Sequence, residues 1–302
     1  MSDDRHSHET LRFGMFFDNP LHQLQKFVIS RRSRIQNQER QAKEARDIVE
    51  SFVDVANSKM RGIQGYSRKL REPVLALYNH VLQIADAIPP PIDLNFEIFE
   101  TNPLINALFV NSRDINKLFT INPCVDAYLR THDKCQVPVL YALLTATKSE
   151  KRTLGVGLLG DEHIRDVPLQ AVNFSRHKIH IPCDTRAKLN TTLKEYLFIH
   201  VVALVKQEMM SRMTNQLFKP GDDYYASRVK SLVNPEVYLN TLLEYIEIPD
   251  NLLSIDKVHL KLSKLGFKLE GDDRQRANEF DIHELTWSNH IRSVVLQIAY
   301  AR

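Results

Sequence analysis

The chain has 302 residues, with 40 Lys and Arg against 37 Asp and Glu, and 43% apolar residues. Nine Gly and three Cys exclude a Gly-rich fibre and a disulfide-built secreted domain, and the apolar content excludes disorder along the whole length. At roughly 150 residues per domain, the length predicts about two domains.

Cys124, Cys135 and Cys183 form no CxxC pair and suit reduced thiols in the cytoplasm. The opening MSDDRHSHET lacks the apolar stretch of a signal peptide. The longest nearly apolar run, Tyr196 to Val205, is ten residues, half of what spans a bilayer. The expectation is a cytoplasmic protein without a membrane segment. Charge is uneven: Lys26 to Glu72 holds twelve basic and six acidic residues, and Asp86 to Asp126 six acidic and two basic.

Asn-Pro occurs at Asn19, Asn102, Asn122 and Asn234, each time before an amphipathic stretch. The Asn side chain accepts from first-turn amides, and Pro arrives with its φ already set and no amide hydrogen to leave unpaired. All four read as helix starts. From Leu21, a count by sevens meets Val28, Ile35, Ala42, Val49, Ala56 and Ile63, and the companion seam includes Leu24 and Phe52. This heptad predicts one long helix over residues 20–61. A second helix, restarted at Pro73, completes a helical hairpin ending at Pro89-Pro90-Pro91.

Short capped helices are expected up to residue 132, with Ser112 as one cap. From Val137 the β-formers VPVLYALLTAT, RTLGVGLL, VPLQAVNF and RHKIHIP predict an antiparallel four-stranded meander between 137 and 182. A helix capped by Asp184 or Thr185 follows, packing through Leu189, Leu193 and Leu197. The C-terminal region reads as mainly helical. Ser254 to Leu265 carries a stripe ending at Gly266, a short strand fits 267–270, and Asp281 with Glu284 forms a capping box before a last helix through Trp287 and Ile298. The predicted fold class is α+β, mostly α. Residues 1–18 form a disordered tail, 19–132 a helical domain, 133–216 an α+β module and 217–302 a helical region.

No nucleotide-binding glycine loop, GxSxG or paired CxxC occurs, and no residue motif places the chain in a known family. His177, His180 and Cys183 are zinc-ligand types, but strand alternation puts the two histidines on opposite faces. His177 and Cys183 share a face roughly 20 Å apart, so no metal is expected. His283-Glu284 begins like a metalloprotease helix, but Trp287 stands where the second histidine belongs. No cofactor is expected.

Three functional readings remain. The first is a non-enzymatic interaction or scaffold protein, self-associating or binding a protein partner through Leu21, Leu24, Val28, Ile35, Val49, Phe52 and Ala56. The second is nucleic-acid binding through Arg31, Arg32, Arg34, Arg40, Lys43 and Arg46, five of which fall on one half of the helix. The third is an enzyme using the cluster Asp161, Glu162, His163 and Asp166 in a predicted loop. His200, inside an apolar helical stripe, is either a core histidine or a ligand contact.

Overall fold

The computed structural model describes residues 39–132, 137–159, 162–217, 234–269, 277–288 and 290–301. The chain divides between Asp47 and Ile48 into two compact units, the first described through residues 39–47, which are helical.

Helix α1 (39–56) carries Val49, Phe52, Val53 and Ala56 on one face, all buried. At its end the Asn57 side chain accepts from the Lys59 amide and opens a 3-10 turn, Ser58–Gly62. Gly65, at φ 74°, provides the left-handed corner before α2 (Tyr66–Ala87). Glu50 braces this corner, accepting from the Tyr66 hydroxyl at 2.6 Å and from Arg61 at 3.0 Å. Helix α2 starts at Tyr66 rather than Pro73, because Leu70 already belongs to the stripe of Val74, Leu77, Val81 and Ile84.

Strand β1 (Ile92–Asp93) follows the prolines. Four short helices come next: α3 (Phe96–Thr101), α4 (Pro103–Leu108), α5 (Ser112–Ile121) and α6 (Pro123–Thr131). Their caps are Asn95, Asn102, Asn111 and Asn122, each accepting from a first-turn amide. Asn111, not Ser112, caps α5. Asn234 caps α8 (Pro235–Ile246) in the same way, after the long α7 (Arg186–Leu217). Asn19 lies outside the described residues.

The remaining elements form one sheet. Strands β2 (Val139–Leu159), β3 (Glu162–Cys183), β4 (Leu253–Leu262), β5 (Asn278–Trp287) and β6 (Arg292–Ala301) run in the order β3-β2-β6-β5-β4, all antiparallel. Strand β1 pairs parallel with Ile298 and Ala299 of β6, beyond the end of its pairing with β5. Past β4, Gly266 (φ 81°) turns the chain back, so that Phe267 bridges Ala171 and Lys268 bridges Leu262. The two edge strands are thereby joined, which relieves the unpaired edge an open sheet would present there.

The sheet buries both faces. Leu143, Leu285 and Val295 pack with Val49, Leu77, Leu193 and Leu239, from α1, α2, α7 and α8; this is the α7 face. Leu144, Ile179, Ile282 and Leu296 pack with Ile105, Phe119 and Val125 on the short-helix face. Leu189, Leu193 and Leu197 are fully buried, as their spacing predicted.

The six-stranded sheet overturns the expected four-stranded meander and helical C-terminal region. Lys148 to Lys151, between the first two expected strands, lies inside β2, which pairs with β3 over nearly its whole length. That stretch has no Gly, Pro, Asn or Asp to favour a turn. Ser254 to Leu262, the Asp281 and Glu284 pair, Trp287, and Arg292 to Ile298 are in strands, not helices. Val294 to Ala299 are all buried, because β6 is covered on both faces. A strand buried on both sides loses alternation, and its apolar run then fits a helical stripe equally well.

Candidate functional site

Two bulges in β3 place its polar side chains. Arg176 and His177 stand opposite the single Ala146, and Ile181 and Pro182 opposite Ala142. Arg176 and Ile181, the first residue of each bulge, take left-handed φ values of 53° and 47°. Such backbone costs on the order of 1–3 kcal/mol per residue and is most unusual for a β-branched one. Side-chain alternation restarts after each bulge. His177 therefore stacks on Phe109 at 4.8 Å on the short-helix face, while His180 meets Tyr196 of α7. Cys183 pairs with Tyr141, two residues from the partner of His180, so it shares the face of His180 rather than that of His177. The second bulge was invisible to simple alternation. Among the described residues, no group of three His, Cys, Asp or Glu is arranged to hold a metal ion.

On the α7 face a cavity of about 400 Å³ opens between β2, β3, α7 and the β5–β6 turn. His180 lines it, with Nε2 3.0 Å from the Thr145 hydroxyl and Nδ1 3.2 Å from the Tyr196 hydroxyl. A neutral imidazole donates through one nitrogen and accepts through the other, so two hydroxyls satisfy it. Burial lowers the His180 pKa, and the nearby charge of Lys178 lowers it further. Burial raises the Tyr196 phenol. Tyr196 stacks on His200 at 5.7 Å, and His200 meets Trp287 edge to face at 4.7 Å. His200 keeps part of its ring exposed at the mouth, and the atoms packed round the rest lower its pKa. Arg176 and Lys178, both exposed, stand at the rim; Leu143, Leu197 and Leu285 form apolar wall.

A second depression, about 500 Å³, lies on the short-helix face beside Phe109, Val110, Ile121, Phe174 and His177. It is more apolar. His177 Nε2 is buried there without a hydrogen-bond partner, and burial lowers the pKa of its ring. Elsewhere, Lys148 pairs with the buried Glu284 at 2.7 Å and with Glu150 at 3.2 Å. Burial opposes the charge of Lys148, but hydrogen bonds to Glu284 and Glu150 outweigh it and raise its pKa.

The other sequence candidates are dispersed. The backbone of Glu162, His163 and Asp166 belongs to β3, and Asp161 lies outside the described residues. His283 and Glu284 lie on β5. Val49, Phe52 and Ala56 are buried in the chain's own core; Leu21, Leu24, Val28 and Ile35 lie outside the described residues. So do Arg31, Arg32 and Arg34, whereas Arg40, Lys43 and Arg46 are exposed on α1, with Arg40 paired to Glu44 at 2.9 Å.

Thr145, Arg176, Lys178, Tyr196 and Trp287 were not anticipated as a site. Two signals were present. RHKIH sets Arg176, Lys178 and His180 at a two-residue spacing, and YLFIH sets Tyr196 and His200 four apart on one helix face. Neither says that strand and helix meet. No protein family, curated protein or solved structure matches this chain. Among the described residues, no helix is long and apolar enough to cross a membrane.

Proposed function

We propose that this chain is a non-enzymatic binding protein of the cytoplasm that holds a small molecule in the cavity on the α7 face. The observation that carries the reading is the convergence of Thr145, His180, Tyr196, His200 and Trp287 from four separate elements on one space of about 400 Å³. Pockets of this size, with apolar walls and a few placed polar groups, are the usual form of small-molecule sites. The two described cysteines, Cys124 and Cys183, are free thiols, which suits the cytoplasm.

Binding fits the chemistry better than catalysis. Thr145, His180 and Tyr196 have the connectivity of a nucleophile, a base and an orienting group. A base that takes up a proton needs an anion behind it to stabilise the imidazolium. Tyr196 is held as a neutral phenol by burial, and the pKa of His180 is lowered. Ligand-observed NMR with a fragment mixture tests the reading. Fragments should bind the parent protein and fail to bind Ser293→Phe, which fills the cavity. Equal binding to both, or no binding, overturns it.

A second reading keeps the nucleic-acid expectation, because Arg40, Lys43 and Arg46 are exposed on α1. Phosphate neutralisation predicts duplex DNA binding that falls steeply with salt and is lost when the three become Glu. Equal affinity in variant and parent removes it.

A further inference from the structure

Charge at the cavity is one-sided. Arg176 and Lys178 stand at its rim, and among the described residues no Asp or Glu lines it. Neither cation has an ion-pair partner among the described residues. Strand β3 is bulged on both sides of His180, and the left-handed Arg176 delivers its side chain to the cavity while neighbouring His177 faces the opposite side. The rings of His200 and Trp287 meet at 4.7 Å along the cavity wall, and both nitrogens of His180 are already engaged by the Thr145 and Tyr196 hydroxyls. The interior therefore offers shape and ring faces, and the rim offers positive charge.

We infer that the occupant is a planar aromatic monoanion, its ring against His200 and Trp287 and its carboxylate on Arg176 and Lys178. This rests on the binding reading above. A guanidinium receives a carboxylate through two parallel hydrogen bonds, and an ammonium beside it adds a point charge. Leu143, Leu197 and Leu285 in the walls receive the uncharged ring, and the planar fork of Arg176 matches a carboxylate. The carboxylate stays at the wet rim while the ring takes the apolar interior.

The chain contains one tryptophan, and Trp287 lines this cavity, so its fluorescence reports occupancy directly. The full chain is titrated with benzoate, benzamide, benzylamine and cyclohexanecarboxylate. Benzoate should change the emission saturably and bind about tenfold more tightly than benzamide, as expected for a charge-assisted contact. Benzylamine should give no saturable change, and cyclohexanecarboxylate should bind more weakly than benzoate. Arg176→Gln with Lys178→Gln should reduce benzoate to the level of benzamide without changing Tm. Benzamide or benzylamine matching benzoate overturns the charge assignment, and cyclohexanecarboxylate matching it overturns the aromatic one. In either case fragment binding that Ser293→Phe abolishes leaves the cavity reading standing. No response to any of the four probes, with such fragment binding present, overturns the monoanion alone. If fragment binding is also absent, both fall.

Discussion

His177 and His180 lie three residues apart on one strand, and their rings occupy opposite settings. His177 is pressed on Phe109 among apolar side chains, with one ring nitrogen unpaired. His180 has a hydroxyl at each nitrogen and two cations nearby in sequence, Arg176 and Lys178. Burial lowers the pKa of both rings, so desolvation does not distinguish them. The distinction lies in what surrounds each ring. A polar network with unbalanced positive charge is suited to a ligand, whereas an imidazole seated among apolar side chains is suited to packing.

The contrast between the faces depends on the sheet between them, and removing its packing gives the largest effect. Leu193 is 1% exposed and belongs to the core of the α7 face. Leu193→Ala should lower stability by about 2–5 kcal/mol in urea unfolding, as buried Leu truncations do. A loss below about 0.5 kcal/mol, the range of surface changes, would mean that α7 is not seated on the sheet.

Next is the ion pair on β2 and β5. Lys148→Met leaves Glu284 buried without its cation and should cost about 3 kcal/mol, while Lys148→Met with Glu284→Leu should recover most of that. The raised pKa of Lys148 gives the sign of the pH effect. The pair's contribution is complete below 10.5, the ordinary lysine value, and is lost as pH rises through the raised folded value. A double variant as unstable as the single one would show that packing, not charge, sets the loss.

How much of this was legible from residues alone follows from the range of each signal. Asn102, Asn122 and Asn234 cap helices as expected, since a cap is settled within four residues. Leu189, Leu193 and Leu197 were legible because α7 covers the sheet with one face only. Strands β4, β5 and β6 were not, since Ile255, Val258 and Leu262 fit a helical stripe while Val258, Leu260 and Leu262 fit a strand. The cavity was least legible. His180 and His200 were both singled out, but their meeting with Trp287 depends on a crossing of elements and on two bulges that no local pattern encodes.

A smaller effect tests the joined edges that hold β3 in place. Gly266 has φ 81°, and a Cβ there would meet the Val172 carbonyl oxygen at 3.2 Å. Gly266→Ala should cost about 1–2 kcal/mol, through left-handed strain and that contact. Hydrogen exchange at Val172, whose amide donates to the Gly266 carbonyl, should quicken more than at Leu144. Unchanged exchange at Val172 would mean that the closure does not restrain β3.

The smallest effect returns to the two histidines and separates packing from binding. Both rings have folded pKa values below 6.5, so the unfolded chain takes up protons before the folded one. The stability that comes from keeping them neutral is complete above 6.5 and is lost as pH falls from there through the folded values. His177→Phe and His180→Gln should each make unfolding free energy fall less steeply between pH 7 and pH 6, read by urea titration, with 6.5 inside that window. Stability alone thus treats the two alike. Benzoate should not. A proton on His180 adds positive charge to the cavity whose rim holds the carboxylate, so affinity for benzoate should rise as pH falls in the parent and in His177→Phe. In His180→Gln the rise should shrink to the part His200 supplies, since that ring also faces the cavity and titrates below 6.5. An equal rise in both variants would mean that the charge of His180 is not felt by the anion bound in this cavity, and the division of labour between the two faces would lose its chemical basis.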